Sequence, residues 1–297
     1  VQVRRLRRSA IDVARWDAAV LADARPLPYG LSWWLDIVTA GHWDGLVCGE
    51  YTCVLPLPRM RRLGGLVPVL VRPPYTQQLG PYGTCRRDEV AQLLLQLPRS
   101  LQLSLPLRPD LDAGVIPDRF MHRRRTNYVL DLTPGYAEVS RRFPRKLQAY
   151  LRKCSRDLLE PLEPAAFVEL NRRYLLERTP LTEHDLSILL QLAEACLARG
   201  YGGCYQLREE GEVLAAAFLP RMAGRTINLA AVTTDPGRKR RGMSRLLALA
   251  MREGAGAAGA TFDFEGSELP GVREYFAKFG GADEGYTLIE ERAYGLL

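Results

Sequence analysis

The chain has 297 residues, 47% of them hydrophobic and 25% charged, a balance that fits two folded domains and excludes both intrinsic disorder and a collagen-like repeat. No uncharged apolar stretch approaches the ~18 residues of a membrane span, the longest (63–71) being only strand-sized. Net charge is +7, and the arginines gather at 4–8, 59–62, 123–125, 141–156 and 238–241. Such clusters suit phosphate-bearing partners, because a guanidinium fork matches phosphate oxygens in pairs; they fit solvated faces equally.

Cys48, Cys53, Cys85, Cys154, Cys196 and Cys204 form no CxxC pair, and His42, His122 and His184 are dispersed, so no zinc-ligand set is expected. In a chain of this size the cysteines read as reduced packing residues. The opening VQVRRLRRSA has no apolar stretch behind its basic residues, so a secretory leader is not expected and the cytoplasm is the default address.

In chain order, apolar spacing predicts helices at 11–22 and 31–40, the second with Trp33 and Trp34 in a core. Strands are expected at 46–50, 51–57 and 66–72, then a helix at 87–97 and a strand at 100–105. The turn-rich segment PPYTQQLGPYG (73–83) carries Tyr75, Gln77, Gln78 and Tyr82, amides and phenols suited to recognising a polar acceptor; its prolines and glycines also suit a rigid connector. TNYVLDL (126–132) reads as a strand. Residues 141–158 read as one helix with Phe143, Leu147, Leu151, Cys154 and Leu158 on its apolar face. Its remaining faces carry Arg141, Arg145, Lys146, Arg152 and Arg156, open to tRNA, to a nucleotide-linked precursor or to solvent.

The second half is more regular. Helices are predicted at 164–178 and 184–200, the latter stopping at Gly200. Three antiparallel strands follow (204–209, 213–222, 226–234), then a basic loop, a helix from about Met243 to Ala257, a strand at 260–265, a short helix at 271–279 and a last strand at 286–291. The first half repeats this order loosely, which suggests two related domains, 1–125 and 126–297. Each is an α+β unit around a mixed sheet.

The basic loop TTDPGRKRRGMSRLL (233–247) is the most informative stretch. Unpaired N–H groups at a helix opening, together with the helix dipole, can hold a pyrophosphate. Arg238, Lys239, Arg240 and Arg241 would supply counter-charge, Gly242 a close backbone approach, and Ser244 a cap or a donor. A solvated turn before an ordinary helix is the plainer reading. In FDFEGS (262–267), strand alternation would put Asp263 and Glu265 on one face, to take a proton from an amine, to bind its ammonium, or to pair with neighbouring arginines.

Element order and loop together resemble the GNAT acyltransferase superfamily, whose pyrophosphate loop reads Q/R-x-x-G-x-G/A; here it is Lys239-Arg240-Arg241-Gly242-Met243-Ser244, with Lys in the first place and Ser in the last. The whole chain resembles tandem-GNAT, Fem-like aminoacyltransferases through WWLDIV (33–38), LPLPRMRRLG (55–64), PPYTQQLGPYG, TNYVLDL, FDFEGSELPG (262–271) and EYFAKFGG (274–281). The resemblance implies two GNAT-like domains, each a mixed, mostly antiparallel sheet flanked by helices. It implies transfer of an acyl group from acyl-CoA, or of an aminoacyl group from tRNA as the alternative donor, to a small-molecule or peptide amine, without a metal. It implies strands that splay near Ala231–Thr233, so that Val232 and Thr233 border the donor, an acceptor cleft against 73–83, and a late-helix Tyr as general acid. The position four residues before Gly280 is Phe276, which leaves its neighbour Tyr275 as the candidate; Lys278 is a further candidate for oxyanion or phosphate support. A non-catalytic GNAT-fold protein that binds a phosphate-bearing ligand is the alternative.

Overall fold

The computed structural model describes residues 2–62, 67–266 and 270–292. Parts of the expected motifs at 63–66 and 267–269 lie outside the described residues. In chain order the first unit supplies β1 (Val3–Arg7), α1 (Val13–Leu21), α2 (Ser32–Val38), β2 (Trp43–Cys48), β3 (Cys53–Arg62), β4 (Val67–Val71), β5 (Tyr82–Gly83), α3 (Arg87–Leu95), β6 (Gln102–Leu107) and β7 (Met121–Arg125). Then come β8 (Tyr128–Asp131), α4 (Tyr136–Arg141), α5 (Arg145–Lys153), β9 (Glu160–Leu162), α6 (Pro164–Leu175), α7 (Glu183–Arg199), β10 (Gly202–Glu209) and β11 (Glu212–Met222). The chain continues through β12 (Arg225–Ile227), β13 (Ala230–Thr233), α8 (Asp235–Lys239), α9 (Gly242–Gly254), β14 (Thr261–Asp263), α10 (Pro270–Ala277), β15 (Ala282–Asp283) and β16 (Tyr286–Arg292).

Two compact units result. One takes the chain up to Arg125 and resumes at Gly285; the other is Thr126–Glu284. The first holds an eight-stranded sheet, β1-β2-β3-β4-β6-β16-β7 with β5 beside β3, in which only the β4–β6 pair is parallel. The final strand, expected in the domain 126–297, therefore lies in the sheet of the first unit, between β6 and β7. Trp16, Trp34 and Trp43 are fully buried there, and each indole N–H has an acceptor: Gly30 O at 2.8 Å, Thr76 Oγ1 at 3.3 Å and Asp36 Oδ1 at 2.8 Å.

The second unit's sheet runs β15-β8-β14-β12-β11-β10-β9 with β13 beside β11, and only β12–β14 is parallel. Its core joins Leu214, Ala215, Ala217 and Leu219 of β11 to Leu246, Leu247 and Ala250 of α9 and to Phe262, Phe264 and Phe279. Local chemistry sets the boundaries. Thr182 and Asp185 cap α7 reciprocally, and Gly200 at φ 72° ends it in the left-handed region.

Two expectations are corrected. The single basic helix at 141–158 is two helices, because Pro144 cannot continue the first; Phe143 is buried between them, and Leu158, placed on the apolar face, is 67% exposed. The cysteines are not all reduced. Cys53 and Cys85 form a disulfide with a Cα separation of 4.8 Å, tying β3 to the segment before α3, while Cys48, Cys154, Cys196 and Cys204 are free. No helix among the described residues is long and apolar enough to cross a membrane.

Candidate active site

A fork in the second sheet organises the site. β12 pairs with β14 in register Arg225–Thr261, Thr226–Phe262 and Ile227–Asp263, and the last link is Asn228 N–H to Asp263 O at 2.8 Å. β12 also pairs with β11, and beyond Asn228 the chain leaves β14 and stays on β11, where Ala215–Phe218 pair with Thr233–Ala230; β13 has no second strand neighbour among the described residues. Thr234 N–H donates to Leu214 O (3.1 Å), so in this antiparallel register the even-numbered amides face β11. Ala231 and Thr233 consequently direct their N–H groups into the fork. Val232, expected beside them, is 1% exposed and has its amide turned to Ala216. The fork also contains an orphan. Asn228 is 8% exposed and its Oδ1 has no hydrogen-bond partner, a spare acceptor that sequence spacing did not signal.

Below the fork the basic loop is more ordered than a Gly-rich cradle. Thr234 caps α8 by accepting from Gly237 N–H (3.1 Å). Arg241 takes a left-handed conformation (φ 49°), and α9 opens at Gly242. The amides of Gly242, Met243 and Ser244 have no intrahelical acceptor, the first such bond being Arg245 N–H to Arg241 O at 3.2 Å. Packing already requires a glycine at 242: a Cβ there would lie 2.9 Å from both the Cβ and the carbonyl oxygen of Leu214. Met243 is half-buried against the core.

The four basic residues divide. Arg238 pairs with Asp235 at 2.5 Å, and Arg240 reaches Glu209 (3.2 Å), Glu212 (3.4 Å) and Glu210 (3.7 Å). Lys239 and Arg241 are exposed, and Arg241 lies 4.9 Å over the Tyr150 ring, whose hydroxyl donates to Arg240 O (2.8 Å). Arg245, one turn into α9, is 2% exposed and grips Asp157 (2.6 and 2.7 Å) and Glu209 (2.9 Å); its hydrogen bond is the main cause holding the Glu209 carboxyl below the usual range.

The structure joins two expected residues. Ser244 Oγ and Tyr275 Oη, from α9 and α10, are 2.9 Å apart. Burial raises the Tyr275 pKa above the ordinary phenol value, partly offset by the bond to Ser244, so this hydroxyl is a proton donor at neutral pH. The neighbouring Phe276 packs at 5.0 Å on Phe264. Lys278 is exposed on the turn after α10.

The carboxylates separate. Asp263 is 1% exposed, accepts from Arg225 Nε and Nη2 (2.8 and 2.7 Å) and, through Oδ1, from Glu265 N–H (2.8 Å); Arg225 also holds Glu284 at 2.5 Å. β14 ends at Asp263, and Glu265 turns left-handed at φ 57°, so the two acids do not share a strand face. Asp263 is thus a buried ion-pair member, and Glu265 is half-buried.

In the other unit, the 73–83 segment folds inward. Gln77, Gln78 and Tyr82 are each 2% exposed; Gln78 Nε2 donates to Gln77 Oε1 (2.9 Å), and Tyr82 Oη donates to Gln78 O (2.9 Å). Tyr75, at φ 51°, is the half-buried member. Gln77, Gln78 and Tyr82 thus bond to one another inside the unit.

Two mixed, mostly antiparallel sheets with flanking helices, the second forked beside a helix opening, define a tandem GNAT-like fold. FemX superposes with a TM-score of 0.70 over 99% of this chain and 98% of its own, at 12% identity. L-PGS from Bacillus licheniformis gives 0.58 over 96% and 93% at 14% identity, and a GNAT-family acetyltransferase from Colwellia psychrerythraea gives 0.52 over 99% and 100% at 10%. At these identities the likeness is one of fold. No protein-family model and no curated protein matches the sequence.

Proposed function

We propose that the protein is an acyltransferase that moves an acyl or aminoacyl group from a CoA or tRNA carrier to an amine, acting in the cytoplasm where both carriers are made. The observation that carries this reading is the fork at Asn228. It leaves the Ala231 and Thr233 amides turned away from β11 on the side where β14 no longer pairs, with the buried, unpartnered Asn228 Oδ1 at the point of divergence. The unpaired amides at 242–244, with Lys239 and Arg241 beside them, fit the phosphates of either carrier. The fork amides are placed to support the carbonyl oxygen of the donor as it gains charge.

Glu265, half-buried just past the end of β14, is assigned the proton of the attacking amine in this reading, and Asp263 is a buried partner of Arg225. Tyr275 is positioned to protonate the leaving sulfur or oxygen, with Ser244 as its hydrogen-bond relay. The non-catalytic reading draws on the same commitment of Asp263, and the variants separate the two.

Calorimetry and thermal shift with CoA, acetyl-CoA and longer acyl-CoAs test the donor. A ligand at 100 times its Kd should stabilise the fold by ~2.7 kcal/mol. The exposed pair Lys239→Glu/Arg241→Glu should abolish that shift without unfolding the protein. Tyr275→Phe should lower kcat by about 10²-fold or more while leaving carrier affinity intact. Absence of binding by every CoA, with binding of aminoacyl-tRNA, selects the tRNA branch. Carrier binding with no turnover in any amine assay selects the binding protein.

A further inference from the structure

A cavity lies in the second unit, lined by Arg245, Ala248, Leu249 and Arg252 of α9 and not by Gly242, Met243 or Ser244. Its volume is about 330 Å³, at the small end of ligand pockets. α9 contributes one face at helical spacing: Arg245, Ala248, Leu249 and Arg252. The opposite wall is the end of α4 with Arg141, the break after it with Phe143, and the last turn of α5 with Leu151 and Arg152. α5 has no buried residue, and its Leu147 and Leu151 are only half covered, so this helix stands off α9 and leaves the space between them.

The lining has two chemistries. Phe143, Ala248 and Leu249 are 2%, 3% and 5% exposed and, with Leu151, make an apolar floor. Arg141, Arg152 and Arg252 are exposed at the rim, and none has a carboxylate partner among the described residues; Arg252 donates only to the Asp157 carbonyl at 3.2 Å. The cavity's own carboxylate, Asp157, is already held by both arms of Arg245. A cationic rim above a dry floor matches a ligand with an acidic head and an apolar body.

The one side-chain amide of the lining and its buried phenyl ring are both engaged. Gln148 Nε2 donates to the carbonyls of Arg141 (2.9 Å) and Phe143 (2.7 Å), and the Phe143 ring is enclosed edge-on between Tyr136 and Phe279. We propose that this cavity binds an amphiphilic anion, a medium-chain acylate or alkyl phosphate. Its head sits among Arg141, Arg152 and Arg252, and its chain lies on Phe143, Leu151, Ala248 and Leu249. At ~30 Å³ per chain carbon, close to the share of a water in the liquid, there is room for about ten carbons. The proposal does not depend on the acyl-transfer reading.

Cys154 lines the cavity and is half-exposed, whereas Cys48, Cys196 and Cys204 are buried, so its alkylation by N-ethylmaleimide reports occupancy directly. Decanoate at ten times its Kd, below its micellar concentration, should slow that reaction by about tenfold. Decanol and AMP should not, and Arg141→Glu/Arg152→Glu should remove the protection while keeping the native circular dichroism. Decyl phosphate protecting alongside decanoate supports a site for the acidic head in general. No protection by either anion overturns the proposal. Equal protection in the double variant or by decanol overturns the ionic half of it, and protection by AMP reassigns the cavity to a nucleotide.

Discussion

Replacing Asp263 separates a structural carboxylate from a catalytic one. Its side chain is 1% exposed and that of Arg225 10% exposed, so Asp263→Asn leaves a buried guanidinium with Glu284 as its remaining carboxylate partner. Breaking a buried pair typically costs 3–5 kcal/mol. The surviving Glu284 contact and the asparagine oxygen place this variant at the low end, about 3 kcal/mol. With a urea m-value of ~2 kcal/mol/M, the midpoint should fall by ~1.5 M. All four tryptophans lie in the first unit, so their fluorescence follows that unit, and hydrogen exchange at β12 and β14 follows the second. The variant should speed exchange at those strands while the turnover of the molecules that remain folded stays near wild type. Unchanged stability with lost turnover would refute the reasoning and return Asp263 to the chemistry.

The seam between β11 and α8 makes a sharper packing prediction. A Cβ on Gly237 would lie 1.7 Å from Leu214 O, so Gly237→Ala should cost about 3 kcal/mol or more in thermal unfolding, whereas Gly271→Ala, with open space around it, should be neutral or slightly stabilising. Tyr275 should stay protonated beyond the ordinary tyrosine range. Its contribution to stability is complete below that range and is lost as pH rises through the raised pKa; Ser244→Ala removes a bond that lowers this pKa, so phenolate absorbance should appear at still higher pH in the variant. Burial pushes the Cys48 thiol up to about 11 and that of Cys196 to about 12. Thiol titration of the native protein should therefore find Cys154 alone, four thiols after denaturation and six after reduction, and six without reductant would remove the disulfide.

Periodicity located what a single element can announce. Apolar spacing, the Thr182–Asp185 cap and Gly200 fix α6 and α7 locally, and the Glu210–Gly211 turn fixes the β10–β11 hairpin, so each appears within a few residues of its expected place. The expected strand 226–234 shows the limit. Its composition is uniform, yet the structure divides it into β12 and β13 at Asn228: both pair with β11, but only β12 also pairs with β14 among the described residues. Asp263 and Glu265 alternate correctly on paper, but Arg225, 38 residues away, claims one of them, and a left-handed backbone at the other ends the alternation. Gln77, Gln78 and Tyr82 look like recognition chemistry until tertiary burial pairs them with each other. The Ser244–Tyr275 contact crosses 31 residues and has no local signal, although both residues stand out in the motifs that contain them.

The return of β16 to the first sheet sets an order of events during synthesis. Residues 126–284 are contiguous, so the second unit is complete while the first still lacks a strand. Until β16 emerges, β6 and β7 each wait with an open edge: six residue pairs of one and five of the other form only with it. At ~5–20 residues per second, the intervening chain takes about 10–30 s to make. An uncovered strand edge is a template for wrong pairing over that interval. The sequence of β7, Met121-His122-Arg123-Arg124-Arg125, is suited to the wait, because consecutive cationic side chains keep like edges apart. One stretch of arginines thus has a role in the nascent chain that the finished fold conceals.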